Sequence, residues 1–335
     1  MSKTSVRTAD TSSIDQVVVE APARLHLGFL DLNGGLGRRF GSLGVAIDGL
    51  STRLVATSIP GPDDEISGPE AARIAVMLPD LRRRLPGLPP VRVTLQAVIP
   101  AHSGLGSGTQ LGLALTCALT RLAGQPLDLL EAARGLERGA RSGIGIGAFL
   151  SGGVILDGGK GADDDPPPVI GRVDFPTSWR IILLMDGRRE GLSGAAERQA
   201  FKNLPPFPAE TAGDLCRHAV MAFLPGIARA DLTLAGPAIG HIQRRVGDHF
   251  APAQGGRFTS PDVAAALAGL EALGIAGVGQ SSWGPTGFAL VDSPERAEAL
   301  AGQLRFQWPA LEIVIVQGRN EGARIQVGTM PAMRP

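Results

Sequence analysis

Apolar residues recur at two different periods along this chain, and the switches between them mark out its elements. Residues 91–100 (VRVTLQAVIP) alternate apolar and polar positions, which predicts a half-buried strand, and 16–29 (QVVVEAPARLHLGF) opens the same way. Residues 109–124 (TQLGLALTCALTRLAG) are apolar on nearly every side, as in a helix buried on most faces, whereas 127–141 (LDLLEAARGLERGAR) repeats at three and four, giving an amphipathic helix. Further on, 179–186 (WRIILLMD) reads as a buried strand. Residues 211–224 (TAGDLCRHAVMAFL) carry a Thr211 to Asp214 capping-box pattern, and the next helix has Ser260 as N-cap, Pro261 at its first position and Gly274 at its stop. Residues 287–293, 293–304 and 311–318 then read strand, capped helix, strand, so the pattern predicts an α+β protein with two sandwiched layers per domain.

Length and composition sharpen this picture. A chain of 335 residues is about two domains. The stretch at 157–176 (DGGKGADDDPPPVIGRVDFP), with its acidic run and triple proline, suits neither a helix nor a central strand. It is either a domain boundary or a long surface hairpin; the boundary reading divides the chain into 16–175 and 176–330. Thirty-two basic residues balance thirty-two acidic ones, leaving no broad positive field for nucleic acid or an anionic membrane. Cys117 and Cys216 lie in apolar, helix-like segments, which fits a reducing compartment better than a thiolate metal site. The first sixteen residues lack the apolar core of a signal peptide, and no apolar run reaches membrane-spanning length, so a cytoplasmic protein is expected. Lysine occurs only at positions 3, 160 and 202, so recognition of an anion falls to arginine or to backbone N–H groups.

One segment is suited to that task. Residues 99–111 (IPAHSGLGSGTQL) place Gly104, Gly106 and Gly108 among the hydroxyls of Ser103, Ser107 and Thr109. A Walker A loop would need a lysine that 100–120 does not contain, and a dinucleotide fingerprint would need GxGxxG where this chain has GxGxG. What remains is the physics both loops share: glycines let the backbone approach an anion, and the helix opening near Ser107 aims unpaired N–H groups and a partial positive charge at it. Gly106, Ser107, Gly108 and Thr109 would be the donors, with Gly104 and Gln110 flanking them. A plain glycine turn between strand and helix is the alternative.

The segments APARLHLGFLD at 21–31, PAHSGLGSGTQ at 100–110 and GVGQSSWGPTGFAL at 277–290 are similar in order and spacing to the three motifs of the GHMP kinase superfamily. With ERGARSGIGIGAF at 137–149 and GLSGAAE at 191–197, the chain more narrowly resembles the β-ribofuranosylaminobenzene 5′-phosphate synthases. The resemblance implies a two-domain fold, with an N-terminal ribosomal-protein-like α/β domain and a C-terminal ferredoxin-like α/β sandwich. It also implies an activity: decarboxylating phosphoribosyl transfer from phosphoribosyl pyrophosphate to 4-aminobenzoate or 4-hydroxybenzoate, towards tetrahydromethanopterin, with Mg2+ as cofactor. A homodimer is expected. The kinase pattern is not fully met, because the segment where kinases of the superfamily commonly carry an acid reads Arg141, Ser142, Gly143, Ile144. An ATP-dependent small-molecule kinase and a non-catalytic metabolite-binding regulator are the two competing readings.

Within the resemblance, individual residues take expected roles. Arg24 would present a planar fork to phosphate or carboxylate, and His26 would donate to an anion or else be a satisfied core histidine. Asp31 would stabilise charge at the sugar or hold the metal, or be a solvated turn aspartate. Arg138 and Arg141, beside Glu137, would bind the 5′-phosphate or form a surface ion-pair row. Ser193 and Gly194 would open a second anion-binding helix. Gln280, Ser281, Ser282 and Trp283 would receive the aromatic acid, with Trp283 as a wall for its ring.

Overall fold

The period-2 stretches become strands and the period-3.6 stretches helices. The computed structural model describes residues 14–135, 141–163, 165–192 and 194–328. Its first half comprises β1 (Gln16–Asp31), β2 (Phe40–Ser58), β3 (Glu65–Ser67), α1 (Ala71–Arg84), β4 (Val91–Ala97), α2 (Ser107–Leu122), α3 (Leu129–Gly135), α4 (Ile144–Leu150), β5 (Val154–Asp157) and β6 (Val169–Val173). The second adds β7 (Arg180–Met185), α5 (Gly194–Asn203), α6 (Ala209–His218), a π-helical turn (Ala219–Phe223), α7 (Leu224–Ala228) and α8 (Leu232–Gln254). It ends with α9 (Pro261–Ala272), β8 (Val278–Gln280), β9 (Thr286–Val291), α10 (Pro294–Gln307), β10 (Glu312–Val316) and β11 (Arg324–Gly328).

The first sheet runs β11-β1-β2-β4-β3, with β5 on the early part of β2 and β6 on β5. In β1, Val17, Val19 and Ala21 pack into a core with Ile74 and Leu78 of α1 and Leu113 of α2. After a register break between Pro22 and Ala23, residues Leu25, Leu27 and Phe29 enter a different core, shared with Ile239 and Ile242 of α8 and with the second sheet. One strand thus belongs to both cores, and Arg24 sits at the crossing.

The second sheet is antiparallel, in the order β10-β7-β9-β8. Numbered within the sheet this is 4-1-3-2, the ferredoxin-like order. Both faces of β7 are buried, as its continuous apolar run predicts: Ile182 and Leu184 meet α9 and α10, while Ile181, Leu183 and Met185 face the core shared with β1. Ser260 and Ser293 cap α9 and α10 as expected, accepting from the N–H groups of Val263 and Arg296.

Of the two readings of 157–176 the hairpin holds: β5 and β6 pair there as an arm of the first sheet, and the chain passes to the second sheet only after it. Two other expectations are corrected. The span 176–330 is not a self-contained unit, because β11 returns to pair with Gln16–Glu20 of β1. Thr211 caps nothing: α6 starts two residues earlier, with Pro208 at its N-cap, so Thr211 lies inside the first turn.

Candidate active site

The glycine loop delivers the chain into α2 without a side-chain cap. Gly106, at φ +88°, occupies the left-handed region that a β-carbon disfavours. Its carbonyl accepts from the N–H groups of Thr109 and Gln110, both at 3.1 Å. The N–H groups of Ser107 and Gly108 precede the first intrahelical bonds and are therefore the donors free for an anion. Arg24 lies against this loop. Its backbone N–H donates to the Leu105 carbonyl at 3.1 Å, its guanidinium donates to the Gly104 carbonyl, and a β-carbon on Gly106 would come within 3.2 Å of that guanidinium. Burial lowers the Arg24 pKa to about 10 while nearby Glu197 acts to raise it, so the fork stays cationic at neutral pH.

The loop after β8 closes over the same place. Ser281 Oγ accepts from the His26 N–H at 2.9 Å and donates to the Gly104 carbonyl at 2.8 Å, and the Ser282 N–H donates to the His26 carbonyl at 3.2 Å. Close approach is possible only between glycines: a β-carbon on Gly104 would stand 2.3 Å from the Ser281 carbonyl oxygen, and one on Gly284 would stand 2.3 Å from that of Ser103. The segment before α5 is tied in by a bond from the Gly191 N–H to the His102 carbonyl, 3.0 Å long. The result is one cleft of about 420 Å³ bordered by Arg24, the loop from Gly104 to Thr109, the segment around Gly191 and Gly194, and Ser282 to Gly284.

Glu197, on α5, is the carboxylate that lines this cleft among the described residues. It ends the GLSGAAE segment, where no local pattern distinguishes it from a helix-surface acid. Burial raises its pKa, opposed chiefly by Arg141, whose guanidinium lies 2.5 Å from its carboxylate and 5.1 Å from the centre of the Phe201 ring. Arg141 is thus at the edge of the site, held by Glu197. Gly194, at the start of α5, lines the cleft; Glu137, Arg138 and Ser193 lie outside the described residues.

Other expected site residues have different duties. Asp31 is seven residues along β1 from Arg24, roughly 20 Å at strand spacing. Its Oδ1 accepts from the N–H groups of Asn33 and Gly34, which makes it a turn aspartate beside a separate hollow. Gln110 is fully buried and points away from the cleft, donating to the Gly145 carbonyl at 2.8 Å and so joining α2 to α4. His26 is buried, and desolvation, helped by the Arg24 charge, lowers its pKa to about 3, so it is a neutral core residue. Gln280 spends its amide on the Thr259 N–H, the Ser282 carbonyl and Gln254. Ser281 is fully buried in the bridge described above. Trp283 is only 2% exposed, with its ring stacked on Phe250 at 4.2 Å and edge-on to Phe201 at 5.4 Å, so the ring packs in the core beneath the cleft and does not form an open wall for it. Of the four residues expected to receive the aromatic acid, Ser282 remains half-exposed at the cleft.

Asp157 was not singled out in the sequence, and it sits beside the segment that lacks the kinase acid. Its carboxylate accepts from the N–H groups of Ser42, Gly143 and Gly159 and from the hydroxyls of Ser42 and Ser142. With five donors and 1% exposure it pins α4 to the sheet, while burial raises its pKa against the pull of those hydrogen bonds.

Comparison with known proteins places this geometry. The model described as the GHMP kinases N terminal domain matches residues 72–153, and that described as GHMP kinases C terminal matches 223–310. The β-ribofuranosylphenol 5′-phosphate synthase of Methanothermobacter thermautotrophicus is 29% identical over 331 residues, covering 92% of this chain and 98% of that protein. Its counterpart in Archaeoglobus fulgidus is 28% identical, with 92% and 99% covered. Among solved structures, homoserine kinase from Cytophaga hutchinsonii superposes with a TM-score of 0.67 at 20% identity, over 97% of this chain and all of that one. Mevalonate-3-kinase from Thermoplasma acidophilum gives 0.64 at 12% identity, with 93% and 99% covered. At such identities the structural likeness speaks for the fold alone.

Proposed function

The chain belongs to the GHMP superfamily, and from that premise, together with its likeness to full-length β-ribofuranosylphenol 5′-phosphate synthases, we propose that it performs decarboxylating phosphoribosyl transfer. In this reaction phosphoribosyl pyrophosphate and a 4-substituted benzoate give a ribosylated ring, CO2 and pyrophosphate, an early step towards tetrahydromethanopterin. The single observation that carries the reading is the convergence of the motif segments on one cleft that combines uncapped helix N–H groups, the Arg24 fork and one carboxylate. The full-length relatives are named for the phenol product, which favours 4-hydroxybenzoate over 4-aminobenzoate as the acceptor.

The site residues divide the work as follows. The Ser107 and Gly108 N–H groups and Arg24 bind the pyrophosphate and receive the negative charge that grows on it as the bond to the sugar's anomeric carbon breaks. The ring carbon bearing the carboxylate bonds to that anomeric carbon, and the electron pair of the ring–carboxylate bond returns to the ring as CO2 departs. Arg24 is engaged by the loop and does not grip the carboxylate, whose tight binding would stabilise the reactant more than the transition state. Leu192 and Ser282 line the cleft and offer the ring an apolar contact and a neutral polar neighbour. Magnesium takes one or two carboxylates together with phosphate oxygens, and the donors present fit that need: Glu197, with the Ser107 hydroxyl, would hold it. Bound there it would neutralise charge on the pyrophosphate.

The deciding assay uses the purified chain, phosphoribosyl pyrophosphate, Mg2+ and carboxyl-labelled 4-hydroxybenzoate or 4-aminobenzoate. Labelled CO2 is expected, abolished by EDTA and restored by Mg2+. Glu197→Gln should raise the metal concentration needed, and Asp31→Asn should not. ATP consumption with an alcohol substrate would support the kinase reading in its place, and tight binding without turnover the regulator. We place the enzyme in the cytoplasm, in keeping with two unpaired cysteines, and as a homodimer. The pairing is supported by exposed Leu36, Ile170 and Val220 around an apolar hollow of about 290 Å³. No described helix is long and apolar enough to cross a membrane.

A further inference from the structure

Away from the cleft, α6 and α8 bring together two histidines and an aspartate that the proposed reaction does not use. Asp214 and His218 are four residues apart on α6, so both project from one face, and His241 meets them from α8. His241 Nε2 lies 2.6 Å from Asp214 Oδ2, and His218 Nδ1 lies 3.2 Å from Asp214 Oδ1. The two imidazoles are stacked 4.1 Å apart, 18° from parallel. One ligand atom from each of the three residues falls within 4.8 Å of the others. All three side chains are about one-third exposed, so an ion could reach them and water could complete its coordination.

We propose that Asp214, His218 and His241 form a binding site for a transition-metal dication of the zinc type, separate from any magnesium in the cleft. The donor set decides the class of ion. Two imidazole nitrogens and one carboxylate suit zinc, cobalt, nickel or copper, while magnesium prefers an all-oxygen shell. Three protein ligands are the number found in zinc sites that keep an open position. The packing around the site suggests what the ion does. His241 precedes by two residues Gln243, whose amide donates to the Leu27 carbonyl at 2.7 Å and accepts from the Gln280 N–H at 2.8 Å. An ion joining α6 to α8 would therefore anchor the helix that holds β1 and the third motif loop in place.

The test is direct zinc binding to the full-length chain without a histidine tag, followed by calorimetry or equilibrium dialysis. One zinc per chain is expected, unaffected by excess Mg2+, together with a rise in the thermal midpoint and visible ligand-field bands when Co2+ replaces zinc. Asp214→Asn and His241→Ala should each weaken zinc binding by at least about tenfold, the scale seen even for changes outside the ligand shell, and should remove the midpoint rise. His249→Gln, at a histidine outside the cluster, should bind as the wild type does. Circular dichroism of the zinc-free variants establishes that they are folded. Absence of stoichiometric zinc binding by the wild type, or wild-type affinity in folded Asp214→Asn, would overturn the proposal.

Discussion

Arg24 and Trp283 show how differently single residues were legible. Arg24 follows a proline in a strand that switches cores, and a cation in that position has few uses besides holding a loop and its anion. Trp283 sits in an equally suggestive polar loop, but nothing local says which way a ring turns. Here it turns inward, onto Phe250 and Phe201. Trp283→Ala should therefore cost about 3–5 kcal/mol, the range for emptying an aromatic core site, as measured by urea unfolding. A variant of normal stability with only the KM of the aromatic acid raised would return the ring to the substrate. His26 makes a second prediction, in pH. Burial first, and then the Arg24 charge, holds its folded pKa at about 3, below the ordinary value of about 6.5. Between those values the unfolded chain takes up a proton that the folded chain refuses. Stability from this residue is thus complete above about pH 6.5 and is lost as pH falls towards 3, by at most about 1.4 kcal/mol per unit. His26→Leu should flatten that slope by up to one proton in denaturation measured at several pH values, and an unchanged slope would mean that His26 is protonated in the fold.

Elements announced by their ends were read from the sequence; those defined by their partners were not. Ser260 and Ser293, each followed by proline, fix where α9 and α10 begin through local hydrogen bonds, which leave a local signature. The Thr211 pattern has the same spelling but lies inside α6, because the chain enters that helix from Pro208. Two central elements gave little signal. β2 contains three glycines and its pairings with β1 and β4 hold three register irregularities, and α8 contains Pro237 and Pro252 within 23 residues. Both are stabilised by tertiary burial that overrides local preference. The start of α2 was legible because its glycines have a mechanical reason. Gly106→Val would place a side chain in the left-handed region, at a cost of about 1–2 kcal/mol, and drive it against Arg24. The KM for phosphoribosyl pyrophosphate should rise tenfold or more in a chain that stays folded. Ser107→Ala should do much less, since the backbone donors remain. An unaltered KM in folded Gly106→Val would remove the loop from the phosphate site.

For the molecule as a whole, the sequence suggested two domains, 16–175 and 176–330, with 157–176 as either their boundary or a surface hairpin, and in the structure the two halves are interdependent. β11, last in the chain, completes the sheet that β1 begins. The largest core draws Leu25, Leu27 and Phe29 from the first half, Ile181, Leu183 and Phe288 from the second sheet, and Ile239 and Ile242 from α8. A strand pairing that closes across some three hundred residues has no local signature; the pattern shows that β11 can pair, not with what. The candidate cleft inherits this interdependence, since Arg24 and the glycine loop come from one half while Glu197 and Ser282 come from the other. If one core spans both halves, neither half can expose its share without losing the other's, and unfolding should be cooperative. Scanning calorimetry should give a single transition whose calorimetric enthalpy matches the van't Hoff enthalpy, and catalytic activity should disappear within that same transition. Two resolved transitions, with one half retaining its secondary structure after the other has melted, would mean that the shared core contributes less than the separate ones and that the two domains unfold independently.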